Sequence, residues 1–179
     1  EFMGLRNFER VFELLPFGTY FYNTSKIAVL ITVGQLFTSS LAGYAFARLR
    51  FPGRDYIFLA YIATMMIPFQ VTLIPNYILM RYLGLINTHE ALILPGIFTA
   101  FGTFLFRQFF LTIPHELEEA AEIDGASYFQ RDWQIIVPLA KPAFATLGVI
   151  TFMNSWNAFL GPLIYLHTQT KLTLTVGLA

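Results

Sequence analysis

Residues 112–142, TIPHELEEAAEIDGASYFQRDWQIIVPLAKP, hold more than half of the chain's acidic side chains and are its richest stretch for chemistry. Pro114 suits a first helical turn, where its missing N–H costs nothing. Glu116, Glu118 and Glu119 follow where a helix dipole favours carboxylates, and Gly125 supplies a stop or sharp turn. On a helical wheel Leu117, Ala120 and Ala121 share one face, while Glu116, Glu118, Glu119 and Glu122 spread over the opposite arc. Such carboxylates can grip arginine through bidentate hydrogen bonds, and small alanines let a partner surface approach closely. The chemistry on offer is docking rather than bond-making. Composition alone fits a solvated acidic loop helix equally well.

Other chemistries are poorly supported. His115 and Glu116 are adjacent, not spaced as a metal pair on one helical face, so no metal site is expected. No nucleophile and base can be paired, and without cysteine there is no thiolate chemistry. The pattern G-x-x-x-x-G-K-[ST] is missing, so the chain does not bind ATP by that route. Net charge is zero with no basic stripe, which argues against nucleic acid.

The elements that must position the acidic segment are apolar. Hydrophobic residues make up 56% of the 179 and charged residues 12%, with a mean hydropathy of +0.59 and 20 phenylalanines. A soluble domain carries about 25% charge, so lipid is the expected solvent. Between Lys26 and Arg48 lies an uncharged run, IAVLITVGQLFTSSLAGYAFA, roughly 32 Å long as a helix, against a hydrocarbon layer of about 30 Å. Similar runs predict an all-α, polytopic transmembrane bundle with about four spans, 22–47, 56–80, 89–110 and 135–165, and a polar region at 112–134. The uncharged runs contain no Asp, Glu, Lys or Arg, whereas ion-coupled carriers usually keep an ionisable group at depth. Any driving force therefore comes from another chain.

Basic residues set the orientation. Arg48, Arg50 and Arg54 crowd the first connector, and Arg107, Arg131 and Lys141 mark the third. The positive-inside rule puts both in the cytoplasm. Arg6, Arg10 and Lys26 would then lie outside, against the trend. Gln35, Pro68, Gln70, Pro75, Asn76, Pro95, Asn154 and Asn157 interrupt the spans. Asn154, Trp156 and Asn157, with Gln70 and Asn76, are candidate lining for a solute path; interhelical hydrogen bonding and kinking explain the same residues at least as simply.

The acidic segment also carries a spaced motif: E-A-A, three residues, G, nine residues, I-x-[LV]-P. Here it reads Glu119-Ala120-Ala121, Gly125, then Ile135, Val137 and Pro138, with Val137 where Leu is usual. It resembles the permease subunits of binding-protein-dependent ABC importers, in particular their maltose- and glycerol-phosphate-type carbohydrate branch. The likeness extends over AGYAFARLRFPGRD, MMIPFQVTLIPNYILMRYLGLINTHEALILP, FLFRQFFLTIPHELEEAAEIDGAS and VPLAKPAFATLGVITFMNSWNAFLGPL, nearly the whole chain.

The resemblance implies the fold of a type I ABC importer permease, of which these residues are a fragment running from before the second to after the fifth of six spans. It implies a bacterial inner-membrane location and a lipid bilayer environment. The expected partners are a cytoplasmic ATPase dimer carrying the Mg-ATP, a second permease subunit and an extracytoplasmic solute-binding protein. No cofactor is expected on this chain. By motif position, Glu119 pairs with an ATPase basic residue, Ala120 and Ala121 form the contact surface, and Gly125 turns the chain. Glu122 and Asp124 accompany them, and Pro138 anchors the return into the membrane. The competing readings are a stand-alone secondary transporter or channel, and an intramembrane enzyme; the E-A-A spacing favours neither.

Overall fold

The uncharged run after Lys26 folds as one long helix, α1, Phe17–Arg48, in a computed structural model that describes residues 15–179. Arg6 and Arg10 lie outside the described residues. α1 stays unbroken because it lacks proline, and its hydroxyls bond within the helix, as from Thr24 to the Tyr20 carbonyl at 2.9 Å and Thr32 to that of Ala28 at 2.7 Å. Ser39, Gly43 and Ala47, four residues apart, are all buried. That small-residue stripe lets neighbouring backbones approach closely. A Cβ on Gly43 would stand 2.6 Å from that of Phe106.

The remaining elements are helical too. In chain order they are α2 (Arg54–Ala63), α3 (Phe69–Tyr82), α4 (Glu90–Gly96), α5 (Ala100–Leu111) and α6 (Glu116–Ile123), followed by α7 (Tyr128–Leu139), α8 (Lys141–Trp156), α9 (Leu160–Tyr165) and α10 (Leu174–Gly177). α1 is the central post, with α5 and α8 packed along it. Tyr44, Ala47, Phe106, Phe110, Ile136, Ala143 and Leu147 fill the core between them. Outward faces stay apolar, as with Val33 (58% exposed) and Ile74 (67%), the inverse of a water-soluble surface. The fold is the expected all-α membrane bundle.

Two of the four expected spans are not straight. α1 and the stretch Glu90–Leu111 are each long and apolar enough to cross a membrane. The other two candidates are bent pairs: α2 and its 3₁₀ extension meet α3 at 101°, and α7 meets α8 at 80°. The described residues thus hold two to four crossings. Proline explains both breaks. Ile67, before Pro68, is forced to an extended ψ of 115°. At the second break Ala140 leaves the helical region just ahead of Pro142. So 56–80 is not one continuous helix, and of 135–165 only Lys141–Trp156 is a long straight segment.

The connectors gather in two groups. The first and third meet at one end, where Arg48 pairs with Glu118 at 2.9 Å and Arg107 approaches Asp55 at 3.9 Å. The second and fourth meet at the other end, through Asn87. Its left-handed backbone (φ 62°) is one that asparagine tolerates well. Its amide oxygen accepts from the backbone N–H groups of His167 and Thr168, at 3.0 and 3.1 Å.

Candidate functional site

α6 is built as a discrete unit. Its last turn closes on Gly125 (φ 83°): the Ala126 N–H donates to the Ala121 carbonyl at 2.9 Å, and the Gly125 N–H to that of Glu122 at 3.0 Å. This is the paired closure that a left-handed glycine permits. α7 begins two residues later with a capping box. The Ser127 hydroxyl accepts from the Gln130 N–H at 3.3 Å, and the Gln130 side chain accepts from the Ser127 N–H at 2.8 Å. The spacing S-x-x-Q is the sequence signature of this cap. Five residues of α7, Asp132–Ile136, wind as a π-helix.

The helical wheel is realised with a different inward face. Glu118 is the one buried residue of α6, at 6% exposure. Leu117, Glu119, Ala120 and Ile123 are exposed, the last at 86%, and Ala121 is half-buried. Glu116 and Asp124 are exposed as well. Glu122 is exposed but holds Arg131 at 2.6 Å, and that guanidinium also lies 4.2 Å over the Tyr128 ring. Pro138 sits exposed in the last turn of α7, ahead of the bend. The motif glutamate Glu119 therefore points away from the bundle, and its neighbour Glu118 points in.

Arg48 receives Glu118. Its Nε lies 2.9 Å from one carboxylate oxygen, and the Tyr44 hydroxyl donates to the other at 3.0 Å. The rest of the guanidinium reaches His115 Nδ1 at 2.9 Å and donates to the carbonyls of Phe110 and Ile113 at 2.5 and 2.6 Å. Those carbonyls belong to the end of α5 and the residues after it, where helical acceptors run short of intrahelical donors; that of Phe110 also accepts from the Ile113 N–H at 3.1 Å. Arg48 thus joins α1, α5 and α6. Asp132 lies buried nearby at 1% exposure, with no hydrogen bond to either carboxylate oxygen among the described residues. Burial, and secondarily the charge of Glu118, pushes its pKa up to about 6. Sequence reasoning treated Arg48 as a topological charge and passed over Tyr44, Glu118 and Asp132 as site residues.

A cavity of about 810 Å³ opens among α1, α4, α5 and α8. Its polar lining includes Gln35, Thr151, Asn154 and Ser155, set among apolar side chains such as Phe69 and Phe101. Gln35 is placed by the interrupted helix opposite: its amide donates to the Gly96 carbonyl at 2.7 Å and accepts from Thr151 at 2.7 Å. Thr38 donates in the same way to the Ile97 carbonyl at 2.6 Å. Backbone acceptors freed inside a membrane must be satisfied from within the bundle, and α1 supplies the donors. Of the candidate path residues only Asn154 lines this cavity. Trp156 and Asn157 line a separate one of about 540 Å³. Gln70 is exposed and Asn76 half-buried on α3, and neither lines either cavity.

Comparison with known proteins follows the same lines. Residues 35–177 match the family model described as binding-protein-dependent transport system inner membrane component. The chain is 40% identical over 178 residues to the arabinooligosaccharides transport system permease protein AraQ of Halalkalibacterium halodurans, covering 99% of this chain and 64% of that protein. It is 39% identical over 163 residues to the sn-glycerol-3-phosphate transport system permease protein UgpE of Yersinia enterocolitica, covering 91% and 58%. A chain from the crystal structure of a bacterial ABC transporter involved in the import of the acidic polysaccharide alginate superposes with a TM-score of 0.87 at 31% identity, covering 94% of this chain and 59% of that one. The chain spans roughly three-fifths of the length of these relatives.

Proposed function

The chain belongs to the inner membrane components of binding-protein-dependent transport systems, and from that premise we propose that it acts as a permease subunit of an ATP-driven importer for a sugar or related solute. In this reading a separate cytoplasmic ATPase dimer binds and hydrolyses Mg-ATP, a second permease subunit completes the pathway, and an extracytoplasmic binding protein delivers the solute. The complex sits in the bacterial inner membrane. α6 is the element on which the ATPase pulls.

The observation that carries the proposal is the two-sidedness of α6. Glu119, Ala120 and Ile123 are turned outward and open to a partner, while Glu118 on the other side is anchored to α1. A helix presented in this way can pass a displacement from a docked protein to the membrane helices. Driving the membrane equilibrium from 1:99 to 99:1 takes about 5.5 kcal/mol, which a firmly held helix can transmit. The polar-lined cavity beside α1 suits a hydroxyl-rich solute, with Asn154 and Ser155 available at its wall.

Glu119→Lys in the full-length subunit tests the docking surface. Truncating one partner of a docked charge pair costs about 2–5 kcal/mol, so the reversal should weaken ATPase co-purification at least tenfold and abolish solute uptake in vesicles. The permease itself should still insert. Wild-type uptake with wild-type ATPase binding would refute the assignment.

A further inference from the structure

A helix that must transmit movement needs a grip on what it moves, and α6 has almost no apolar one. Its only buried residue is a glutamate; Leu117 is 44% exposed and Ile123 86%. Apart from its covalent connections and the pair formed by exposed Glu122 with the buried Arg131 of α7, what holds it to the bundle is the cluster on Arg48. The Arg48 and Glu118 side chains are 2% and 8% exposed; one Glu118 oxygen accepts from the Tyr44 hydroxyl, and the other lies 2.9 Å from Arg48 Nε as a buried ion pair without hydrogen-bond alignment. Tyr44 and Arg48 stand one turn apart at the end of α1, so both groups that hold Glu118 belong to the same membrane helix. Arg48 Nη2 donates to the carbonyls of Phe110 near the end of α5 and Ile113 just after it, and Nη1 faces His115. An arginine fork can hold these acceptors in one fixed geometry, which an ammonium cannot.

We propose that the Arg48–Glu118 pair, steadied by Tyr44, is the internal strut through which α6 drives α1, and that it positions α6 rather than contacting ATPase or solute. The proposal rests on the permease reading above and adds to it a division of labour between neighbours: Glu119 faces outward to dock, and Glu118 faces inward to transmit. Loss of the strut should leave the ATPase attached and hydrolysing while its strokes no longer reach the membrane helices.

Two measurements separate this from a general stabilising role and from failure of the permease reading. The first uses the full-length subunit alone, in nanodiscs, in a background otherwise free of cysteine. Spin labels are placed singly at Ile123→Cys on α6 and at Tyr82→Cys, an 88% exposed position on α3. Adding Glu118→Gln, or separately Arg48→Lys, should loosen the label at 123 severalfold and leave the label at 82 unchanged. No change at 123, or equal loosening at both, overturns the strut. This arm needs no ATPase, so it stands even if the docking assignment fails. The second uses the complete transporter in vesicles: the same variants should retain ATPase attachment and basal hydrolysis, with solute taken up per ATP falling at least tenfold. Unchanged uptake per ATP, or ATPase attachment lost in step with uptake, overturns the proposal.

Discussion

At the end where the first and third connectors meet, helices are joined charge to charge: Arg48 to Glu118, Arg131 to Glu122, Arg107 toward Asp55. At the opposite end the joints are side chain to backbone. Asn23 donates to the carbonyls of Thr170 and Leu172, Thr24 accepts from the Leu174 N–H, and Lys171 donates to the Asn87 carbonyl. All ion pairs among the described residues fall at the first end. Side-chain-to-backbone bonds fix a chain path and work at short range only. Paired charges in a dry site are held more strongly, and a buried charge left without its partner is costly. The bundle therefore has one end stitched by the backbone and one end held by a few switchable, high-stakes contacts.

Three substitutions in the full-length subunit sharpen or break this contrast. The largest effect belongs to Asp132, the buried carboxylate without a partner at the charged end. Its folded pKa of about 6 lies above the ordinary 3.8, so folding takes up a proton. The penalty is fully present above pH 6, fades as pH falls toward 4, and is absent below. Asp132→Asn should therefore favour the detergent-solubilised subunit more at pH 7.5 than at pH 5, with a difference on the order of 1 kcal/mol, read from thermal unfolding at both values. A gain that does not depend on pH would mean that the carboxylate is not strained there.

Asn87→Ala should cost about 2 kcal/mol, combining left-handed strain with lost bonds at an exposed turn. On the permease reading, since this end carries no α6 contact, uptake per ATP should stay near wild type once expression is matched. A coupling defect there would erase the contrast between the ends. The smallest effect is expected at Glu122, whose side chain is 65% exposed. Glu122→Gln keeps an oxygen that can accept from the buried Arg131 guanidinium, so it should cost only about 1 kcal/mol in the same unfolding assay. A larger loss would mean that α6 has a second anchor besides Glu118.

Much of this was legible from residue order alone. The run from Ile27 to Ala47, free of charge and proline, could hardly be anything but one membrane helix, and α1 is that helix. The E-A-A spacing located α6 and its Gly125 turn. The bends at Pro68 and beside Pro142 were visible as prolines but not as angles, because a freed backbone can be re-satisfied with or without a kink. The inward turn of Glu118 was hidden for a different reason. A glutamate in an acidic helix reads as solvated until its partner is known, and that partner, Arg48, lies 70 positions earlier. The role of Gln35 was hidden likewise, since its acceptor at Gly96 exists only where another helix is interrupted.

Between Gly125 and Ser127 a single residue separates two helix ends, each sealed by its own hydrogen bonds. Neither seal borrows an atom from the membrane helices. The local turn geometry of residues 116–131 is thus set within that stretch itself, while Glu118 fixes where it sits on the bundle. On the permease reading proposed above, exchange of this hairpin between related subunits should transplant the choice of ATPase, provided that the recipient retains the inward carboxylate.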